Sequence, residues 1–598
     1  MFNQTKIFKG MTVMLFLFTF TYLFIRVFYN EPILDEIVTY FNYTYHGNYA
    51  GKTIFWDANN HLLNSFLSHL LYPFFHHHIN WYRIPNLVAF ILFFLGIKNL
   101  VSDLKTELLK FLALTTFCTI PFIIEYFAYC RGYGLSLGLF SWALVHLVKY
   151  LKNKEIKNLI FTYLFLILTI SANLTFINTG FLISILLIII SSISFKTEKK
   201  KLLILQFSIH SLFYILLIPF IKYSFELKEH GALYIGGSNG LWANTGQPIT
   251  TNIFNWAPNG ILFLYIILFL AFLYRIFKLI SSNSISTSLS NPIVIYSYLF
   301  FGNIIGIYCM SILLGVNYPQ DRAAFYLIIL FILILFYFLD LFKITKWLQY
   351  LFLYFPIILI TKMSIHTSIV TPEDRISKTF YSKIKKNISP ENSVSIHPLL
   401  NWNWIFYESL HKIKSSVATT YNSNSAVTDF IITKKRDLTN SEIIKNYTVI
   451  TKDKYSTYIA LKRKKPLLKT LKYDSKSVSL PKTKSEFITL IEYDSLQKFI
   501  GKNLQISVFG HLKTFDPINE IQLVIKKIDQ KNQQNEYLIY SFDFNFQGTK
   551  INDDFLHHFI LENITEEDKR IEISLWNIGL NELEITNSKL KLYAVEKP

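Results

Sequence analysis

Cysteine is scarce in this chain, which has three in 598 residues: Cys118, Cys130 and Cys309. All three fall inside or at the edge of apolar segments of membrane length, and no CxxC pair occurs. A disulfide framework and a CxxC metal site are therefore excluded. Any exported region of the chain must be stable without disulfides.

Acidic residues are also few, with 40 Asp and Glu against 59 Lys and Arg and a formal net charge of +19. Such an excess can indicate a nucleic-acid partner, because cations neutralise phosphates. Here Lys and Arg instead collect in short clusters between apolar runs, as in the loops of a membrane protein. We therefore expect the protein to interact with the lipid bilayer and not with nucleic acid.

Apolar residues make up 52% of the chain and occur in long runs. These runs predict a polytopic α-helical membrane protein with about eleven transmembrane helices. The predicted segments are 11–29, 83–101, 107–128, 132–150, 157–172, 176–194, 202–221, 257–279, 292–315, 323–342 and 347–365. Lys6 and Lys9 precede the first run, and no small-residue cleavage site follows it, which predicts a retained signal anchor.

Orientation follows from the positive-inside rule, because loops rich in Lys and Arg alternate with loops that are poor in them. We expect a multi-pass protein of the inner or plasma membrane, with a cytoplasmic N-terminus and the C-terminal region on the outer or periplasmic side. The first outer loop, 30–82, is too long for a simple connector. Its segment 60–75 predicts an amphipathic helix on the membrane surface.

The composition changes near residue 366, where continuous apolar runs give way to polar sequence with alternating apolar residues. We predict a transmembrane domain over 1–365. Beyond it, helical and strand signals predict a small exported α/β domain over 366–470. Strand signals separated by turn residues then predict an exported, jelly-roll-like β-sandwich over 471–598.

Polar residues that an apolar membrane segment does not require collect on the predicted outer side. They are Asp35, Glu36, Trp56, Asp57, Asn60, His61, Glu125, Arg131, Tyr133, Tyr318, Asp321 and Arg322. Carboxylates and arginines on one face suit a site that activates a hydroxyl and binds a phosphate.

Five short segments carry a family resemblance. In chain order they are LDEIVTY, WDANNHLLNS, YRIPN, EYFAYCRGYG and GVNYPQDRAAFYL. Together they resemble the GT-C superfamily of glycosyltransferases, nearest to the group of protein O-mannosyltransferases and lipid A aminoarabinose transferases called glycosyltransferase family 39-like. The resemblance covers about the first 340 residues and implies a GT-C type of membrane domain.

The resemblance implies an enzyme that moves a sugar from a polyprenyl-phosphate carrier to an acceptor hydroxyl of a protein, lipid or glycan. In that family an acidic residue of the first outer loop is central, and the matching residue is Asp35, with Glu36 beside it. Relatives also carry a basic residue in this loop, where the present chain reads Asp57-Ala58-Asn59-Asn60-His61. The missing positive charge is expected from Lys52, Arg131 or Arg322.

Chemistry assigns the expected roles. A sugar that leaves an anomeric phosphate develops oxocarbenium character, while the incoming hydroxyl loses a proton. Asp35 can take that proton in one inverting displacement, because phosphate leaves without a covalent intermediate. Glu36 is the second predicted catalytic residue and is expected to support Asp35 or to hold a metal. The residues predicted to bind the carrier phosphate are Arg131, Arg322 and Lys52. Sugar or acceptor contacts are predicted for Trp56, Asp57, Asn60, His61, Tyr133 and Tyr318.

Other interpretations stay open. A polysaccharide polymerase, a lipid-linked sugar flippase or a transporter predicts functional charges within the spans, and a non-catalytic anchor for a surface-binding domain leaves the outer acids and arginines unexplained. Asp35 and Glu36 can also open a short helix as N-terminal charges, and arginines can reach lipid headgroups. The chemistry requires no cofactor, and a divalent metal at Glu36 or His61 stays open.

Overall fold

The structure is a computed structural model, and it describes most of the chain. The described residues are 4–45, 47, 57–76, 78–193, 200–233, 236–254, 261–282, 289–341, 349–371, 375–389, 392–410, 418–420, 426–438, 441–516, 521–541 and 550–596. The chain divides into two compact units. The helical unit comprises Met1–Asn30 and Trp56–Val370, and the sheet unit comprises Glu31–Phe55 and Thr371–Pro598. Residues 31–55 thus group with the sheet unit, whereas the sequence predicts all of loop 30–82 within the membrane domain.

Helices of 5 to 30 residues make up most of the helical unit. They are Gln4–Tyr29, Leu62–Phe75, Ile84–Leu100, Glu107–Thr119, Pro121–Glu125, Gly132–Asn153, Ile156–Ala172, Ile177–Ile193, Lys200–Glu229, Gln247–Phe254, Ile261–Ser282, Pro292–Leu314, Phe325–Leu341 and Tyr354–Lys362. Short 3-10 turns occur at Ile79–Arg83, Tyr126–Ala128, Leu174–Phe176, Asp321–Ala324 and Tyr350–Leu353, and one π turn at Trp242–Gly246. The segment 60–75 contains the helix Leu62–Phe75. Its location on the outer surface of the membrane stays a prediction.

Seven helical stretches of the described chain are long and apolar enough to cross a membrane. An eighth candidate is the pair Glu107–Thr119 and Pro121–Ala128, which bends by 57° where Pro121 interrupts the helix. Three shorter apolar helices complete the set: Ile156–Ala172, Ile261–Ala271 and Tyr350–Lys362. Every predicted segment corresponds to one of these helices, so the polytopic helical fold is confirmed, while the number of spans stays a prediction.

Close approach of helices in the helical unit depends on small residues. A Cβ atom on Gly138 would lie 2.5 Å from the carbonyl oxygen of Ala89, and one on Gly134 would lie 2.6 Å from that of Tyr126. Both glycines belong to Gly132–Asn153, most of whose residues are buried. This helix therefore forms the centre of the unit, and the site described below lies at its N-terminal end.

Two β-sheets dominate the sheet unit. Its strands are β1 Ser393–Ile396, β2 Ala418–Thr420, β3 Phe430–Lys434, β4 Tyr447–Lys452, β5 Tyr458–Arg463, β6 Leu468–Asp474, β7 Val478–Thr483, β8 Phe487–Tyr493, β9 Asn503–Thr514, β10 Gln522–Asp529, β11 Gln534–Ser541, β12 Asn552–Leu561, β13 Asp568–Trp576 and β14 Leu583–Glu596. Its helices are Leu34–Thr39, Lys378–Lys385, Asn401–Leu410 and Ser441–Asn446, with a π turn at Tyr40–Thr44.

The larger sheet has the order β4-β5-β3-β1-β2-β12-β9-β14-β6, with β7 also paired to β14, and the smaller has the order β11-β10-β13-β8. Inward residues of both sheets, such as Ile506 of β9 and Ile573 of β13, share one buried core. The predicted sheet-rich C-terminal region is therefore confirmed. Strand β2 pairs with β12 through Thr419 and Phe559, so one sheet runs through the predicted α/β and sandwich regions. Their division into separate domains at residue 470 stays a prediction.

Candidate functional site

Three of the predicted site residues meet at one aromatic ring in the helical unit. The ring belongs to Tyr133, in the first turn of Gly132–Asn153. The guanidinium carbon of Arg131 lies 5.6 Å from the ring centroid, and that of Arg322 lies 5.8 Å from it. Arg131 precedes the helix, whereas Arg322 comes from the distant turn Asp321–Ala324. Both distances suit cation–π attraction, so the ring gathers two positive charges.

His61 is the third predicted residue at the ring of Tyr133. The two ring centroids are 4.4 Å apart and the planes are nearly perpendicular. Atom Nδ1 of His61 lies 2.9 Å from the carbonyl oxygen of Ala172, which can only accept, so Nδ1 carries a hydrogen. Gly132 makes this packing feasible, because a Cβ there would lie 2.6 Å from the Cβ of His61.

The polar turn before the helix Leu62–Phe75 holds Arg131. Atom Nη2 of Arg131 donates a hydrogen bond to Oδ1 of Asn59. The backbone N–H of Asn59 in turn donates to the carboxylate of Asp57 at 2.8 Å. The side-chain amide of Asn60 donates to the hydroxyl of Tyr223 at 3.4 Å. Asp57 and Asn60 were predicted; Asn59 was missed, although it lies between them in the same polar turn.

A second missed contribution comes from two buried asparagines, Asn64 and Asn86. The amide of Asn86 donates to Oδ1 of Asn64 at 2.8 Å, and its own Oδ1 accepts from the backbone N–H of Leu135 at 2.9 Å. This bridge ties the helix Leu62–Phe75 to the first turn of Gly132–Asn153, next to Tyr133. Asn86 lies in the YRIPN segment, so a polar residue within an apolar run was the available signal.

Tyr318 was predicted to contact the sugar or acceptor, and the structure puts it in a backbone bridge. Its N–H donates to the carbonyl of Gly237 at 3.0 Å. Among the described residues, no ring contact joins Tyr318 to Tyr133. The role predicted for Tyr318 therefore stays a prediction without a place in the Tyr133 cluster.

Glu125, which was predicted as an outer polar residue, is buried and makes structural hydrogen bonds. Its carboxylate accepts hydrogen bonds from Arg26 and from the hydroxyl of Tyr129, each at 2.8 Å. It also accepts from the backbone N–H groups of Ile369 at 2.7 Å and Val370 at 3.0 Å. With this many donors the carboxylate is well satisfied, and it ties the first helix to the end of the helical unit.

Asp35 and Glu36 belong to the sheet unit, in the first turn of Leu34–Thr39. Asp35 is half-buried, whereas Glu36 is fully buried and its Oε2 accepts from the backbone N–H of Ile33 at 3.2 Å. That bond satisfies a backbone N–H donor at the start of the helix, and a negative charge there interacts favourably with the helix dipole. Glu36 therefore has a structural role, and Asp35 is the more exposed acid of the pair.

Aromatic packing supports the segment that carries these two acids. The ring of Tyr40 lies 6.2 Å from that of Phe406, and the ring of Phe41 lies 6.3 Å from that of Trp402. Both partners belong to the helix Asn401–Leu410. The hydroxyl of Tyr407 on the same helix donates to Oε2 of Glu31 at 3.1 Å. Within the sheet unit, the segment that carries Asp35 is thus packed against the helix Asn401–Leu410.

Two predicted residues, Lys52 and Trp56, lie outside the described residues. The described part of the chain contains no group of three or more His, Cys, Asp or Glu side chains arranged for a metal ion. Glu36 and His61, the two residues considered for a metal, belong to different units.

Together, the apolar helices and the sheet unit define a polytopic membrane protein with a sheet-rich C-terminal region. No protein-family model and no curated protein matches the chain.

The solved structures to which the chain is similar include ArnT from Cupriavidus metallidurans in the apo state. That similarity has 9% identity and a TM-score of 0.39, and covers 76% of this chain and 98% of that one. ArnT bound to undecaprenyl phosphate gives the same identity and coverages with a TM-score of 0.37. The arabinosyltransferase EmbB from Mycobacterium smegmatis gives 10% identity and a TM-score of 0.33, with 96% of this chain and 64% of that one covered. Identities this low assign no residue role to the present chain.

Proposed function

We propose that this chain is a glycosyltransferase that moves a sugar from a polyprenyl-phosphate carrier to an acceptor hydroxyl at the outer face of the membrane. The observation that carries the proposal is the convergence of Arg131 and Arg322 on the ring of Tyr133. The two arginines come from distant parts of the sequence, and each was expected to bind the carrier phosphate.

A phosphate suits this pair of cations on physical grounds. Two guanidinium groups near one point repel each other, and a bound anion offsets that repulsion. Arg131 is 1% exposed, so solvent ions screen its charge little. A guanidinium also offers parallel N–H groups that match two oxygens of a phosphate. These properties support phosphate binding by Arg131 and Arg322, and Lys52 is proposed as a further cation.

The surroundings of Tyr133 suit a sugar or an acceptor hydroxyl. Because Nδ1 of His61 donates to the carbonyl of Ala172, Nε2 is the basic nitrogen of the neutral ring and can accept from a hydroxyl. The ring of Tyr133 lies beside His61, with a centroid distance of 4.4 Å. Further contacts with sugar or acceptor are proposed for Trp56, Asp57, Asn60 and Tyr318. A metal is not needed for these contacts, and Nε2 is the atom of His61 that would hold one.

We propose Asp35 as the general base of a single inverting displacement. Its carboxylate takes the proton as the acceptor oxygen bonds to the anomeric carbon. The bond between that carbon and the phosphate oxygen breaks, and its electron pair leaves with the polyprenyl phosphate, whose charge Arg131 and Arg322 stabilise. Glu36 supports Asp35 by satisfying the start of its helix.

The decisive experiment incubates the purified full-length protein with labelled polyprenyl-phosphate hexoses and pentoses and a cell-envelope extract. Transfer by the wild type is expected for one donor, and Asp35→Asn should lower kcat by about a hundredfold or more. The exposed Asp494→Asn is the matched control and should leave the rate unchanged. Full transfer by a folded Asp35→Asn variant would remove Asp35 from the mechanism.

Arg131→Ala and Arg322→Ala test the phosphate site in the same assay. Each should raise the KM for the carrier substrate by roughly tenfold or more, because a charge-assisted hydrogen bond contributes on the order of 1.5–3 kcal/mol. Arg436→Ala, at an exposed arginine, should leave KM unchanged. Absence of transfer with every carrier would favour the transporter, flippase, polymerase or anchor interpretations.

The outer location has its own test. Single cysteines introduced into the sheet unit should react with a membrane-impermeant thiol reagent in intact cells, and the same cysteines should be protected if the region is cytoplasmic. Labelling only after the cells are opened would overturn the outer-face proposal.

A further inference from the structure

The segment that carries Arg322 is held by residues 237–252, which lie earlier in the helical unit. The N–H of Tyr318 donates to the carbonyl of Gly237 at 3.0 Å, and the hydroxyl of Thr245 donates to the carbonyl of Pro319 at 2.6 Å. The side-chain amide of Asn252 donates to Oδ1 of Asp321 at 2.9 Å. Three of the four positions before Arg322, namely Tyr318, Pro319 and Asp321, are thus tied to residues 237–252.

Asp321 has an unusual backbone conformation. Its φ is +48°, in the left-handed region that side chains other than glycine rarely adopt, although Asp and Asn tolerate it best. A left-handed residue reverses the local direction of the chain, and Asp321 immediately precedes Arg322. The conformation is therefore found where the chain must present a charged side chain, and the hydrogen bond from Asn252 restrains the side chain of the same residue.

We propose that Asn252 and Asp321 are positioning residues: together they fix the turn that aims the guanidinium of Arg322 at the ring of Tyr133. The consequence for carrier binding rests on the proposed function, because it requires that Arg322 binds the carrier phosphate. The turn itself is a property of the helical unit and can be measured without any substrate.

Loss of the restraint has a defined consequence. Without the amide of Asn252, the side chain of Asp321 loses a neutral-to-charged hydrogen bond and the residue can return to negative φ. Arg322 then samples directions away from Tyr133, and the carrier phosphate loses one of its cations for part of the time. We expect affinity for the carrier phosphate to fall roughly fivefold to twentyfold.

Four variants separate positioning from general damage. Asn252→Ala removes the donor, and Asp321→Gly keeps access to the left-handed conformation but removes the acceptor. Asp321→Asn keeps an acceptor oxygen and tolerates the same φ, so it should retain most of the affinity. Thr251→Ala is the matched control, since this exposed neighbour of Asn252 bonds only within its own helix among the described residues.

Two readouts are made on the full-length protein in detergent: binding of labelled undecaprenyl phosphate and hydrogen exchange of residues 317–324. Asn252→Ala and Asp321→Gly should weaken binding and speed exchange, with Thr251→Ala unchanged in both. In an Arg322→Ala background, Asn252→Ala should weaken binding no further, because a positioning residue acts only through the group it positions.

Equal weakening by Asn252→Ala with and without Arg322 would show a merely structural role and overturn the inference. Unchanged exchange of residues 317–324 in both Asn252→Ala and Asp321→Gly would also overturn it. If the wild type binds no undecaprenyl phosphate and transfers no sugar, the proposed function fails, and the exchange readout still decides whether Asn252 fixes the turn.

Discussion

Arg26 donates a hydrogen bond to the carboxylate of Glu125 at 2.8 Å, and both side chains are fully buried. Arg26 also donates to the carbonyl of Ser364 at 2.6 Å. Both Arg26 and Glu125 therefore bind backbone groups at the end of the helical unit. The pair satisfies backbone groups as well as two charges, and that explains why a charged residue occurs within the first apolar run.

Removing one member of this pair should be strongly destabilising. Glu125→Leu leaves Arg26 buried without its counter-charge, and we expect the free energy of unfolding to fall by about 3–5 kcal/mol. The double variant Arg26→Met with Glu125→Leu should recover a large part of that loss. Thermal unfolding of the detergent-solubilised protein measures the difference, and Glu107→Gln, which breaks the half-exposed pair with Lys110, is the control. Equal stability of single and double variants would contradict the expectation.

Gly132→Ala tests the packing around His61. The new Cβ would lie 2.1 Å from the carbonyl oxygen of Ala172 and 2.6 Å from the Cβ of His61, so one of them must move. We expect a loss of stability of about 1–3 kcal/mol, measured by thermal unfolding, together with weaker transfer. Gly10→Ala is the control, because nothing lies within 4 Å of a Cβ there and alanine favours the helix. An unchanged melting temperature for Gly132→Ala would refute the packing argument.

Glu408 should make the stability of the sheet unit pH-dependent. Burial raises the pKa of this carboxyl from 4.5 to about 7, and Lys385 only partly opposes the shift. Because the folded pKa is above the unfolded one, its stabilising contribution is full below about pH 4.5 and is lost as pH rises through 7. Wild type should thus lose stability between about pH 4.5 and 7 relative to Glu408→Gln, as followed by thermal unfolding. The exposed Glu566→Gln should keep the wild-type profile.

Tyr407→Phe tests the support of the Asp35 helix within the sheet unit. The change removes the hydroxyl whose oxygen lies 3.1 Å from both Oε2 of Glu31 and the carbonyl oxygen of Ile376, and whose single hydrogen is available to either acceptor. We expect a cost of about 1–3 kcal/mol and faster hydrogen exchange of the amides of Leu34–Thr39. Tyr493→Phe, in the sandwich, should leave that exchange unchanged. Equal exchange of the Leu34–Thr39 amides in Tyr407→Phe and Tyr493→Phe would show that Tyr407 does not stabilise the Asp35 helix.

The helices were predictable because their cause is local. A run of apolar residues as long as 292–315 becomes a helix whatever its neighbours are, since backbone groups in lipid must be satisfied within the segment. The site was only partly predictable: Arg131, Tyr133, Arg322 and His61 were selected by charge and loop position, but their meeting at one ring depends on tertiary packing. Asn59 and Asn86 were missed, because a polar position in a turn or within an apolar run does not say which distant group the asparagine will meet.

The sequence by itself determined the class of the protein, the positions of its helices and the side chains able to do chemistry, because hydropathy and charge are properties of individual residues. Only the tertiary structure decided that Glu125 braces Arg26, that Glu36 satisfies the start of its helix, and that Arg131 and Arg322 flank Tyr133. Each of those outcomes joins residues distant in sequence or depends on burial and hydrogen bonds, and the folded chain alone sets which donor meets which acceptor.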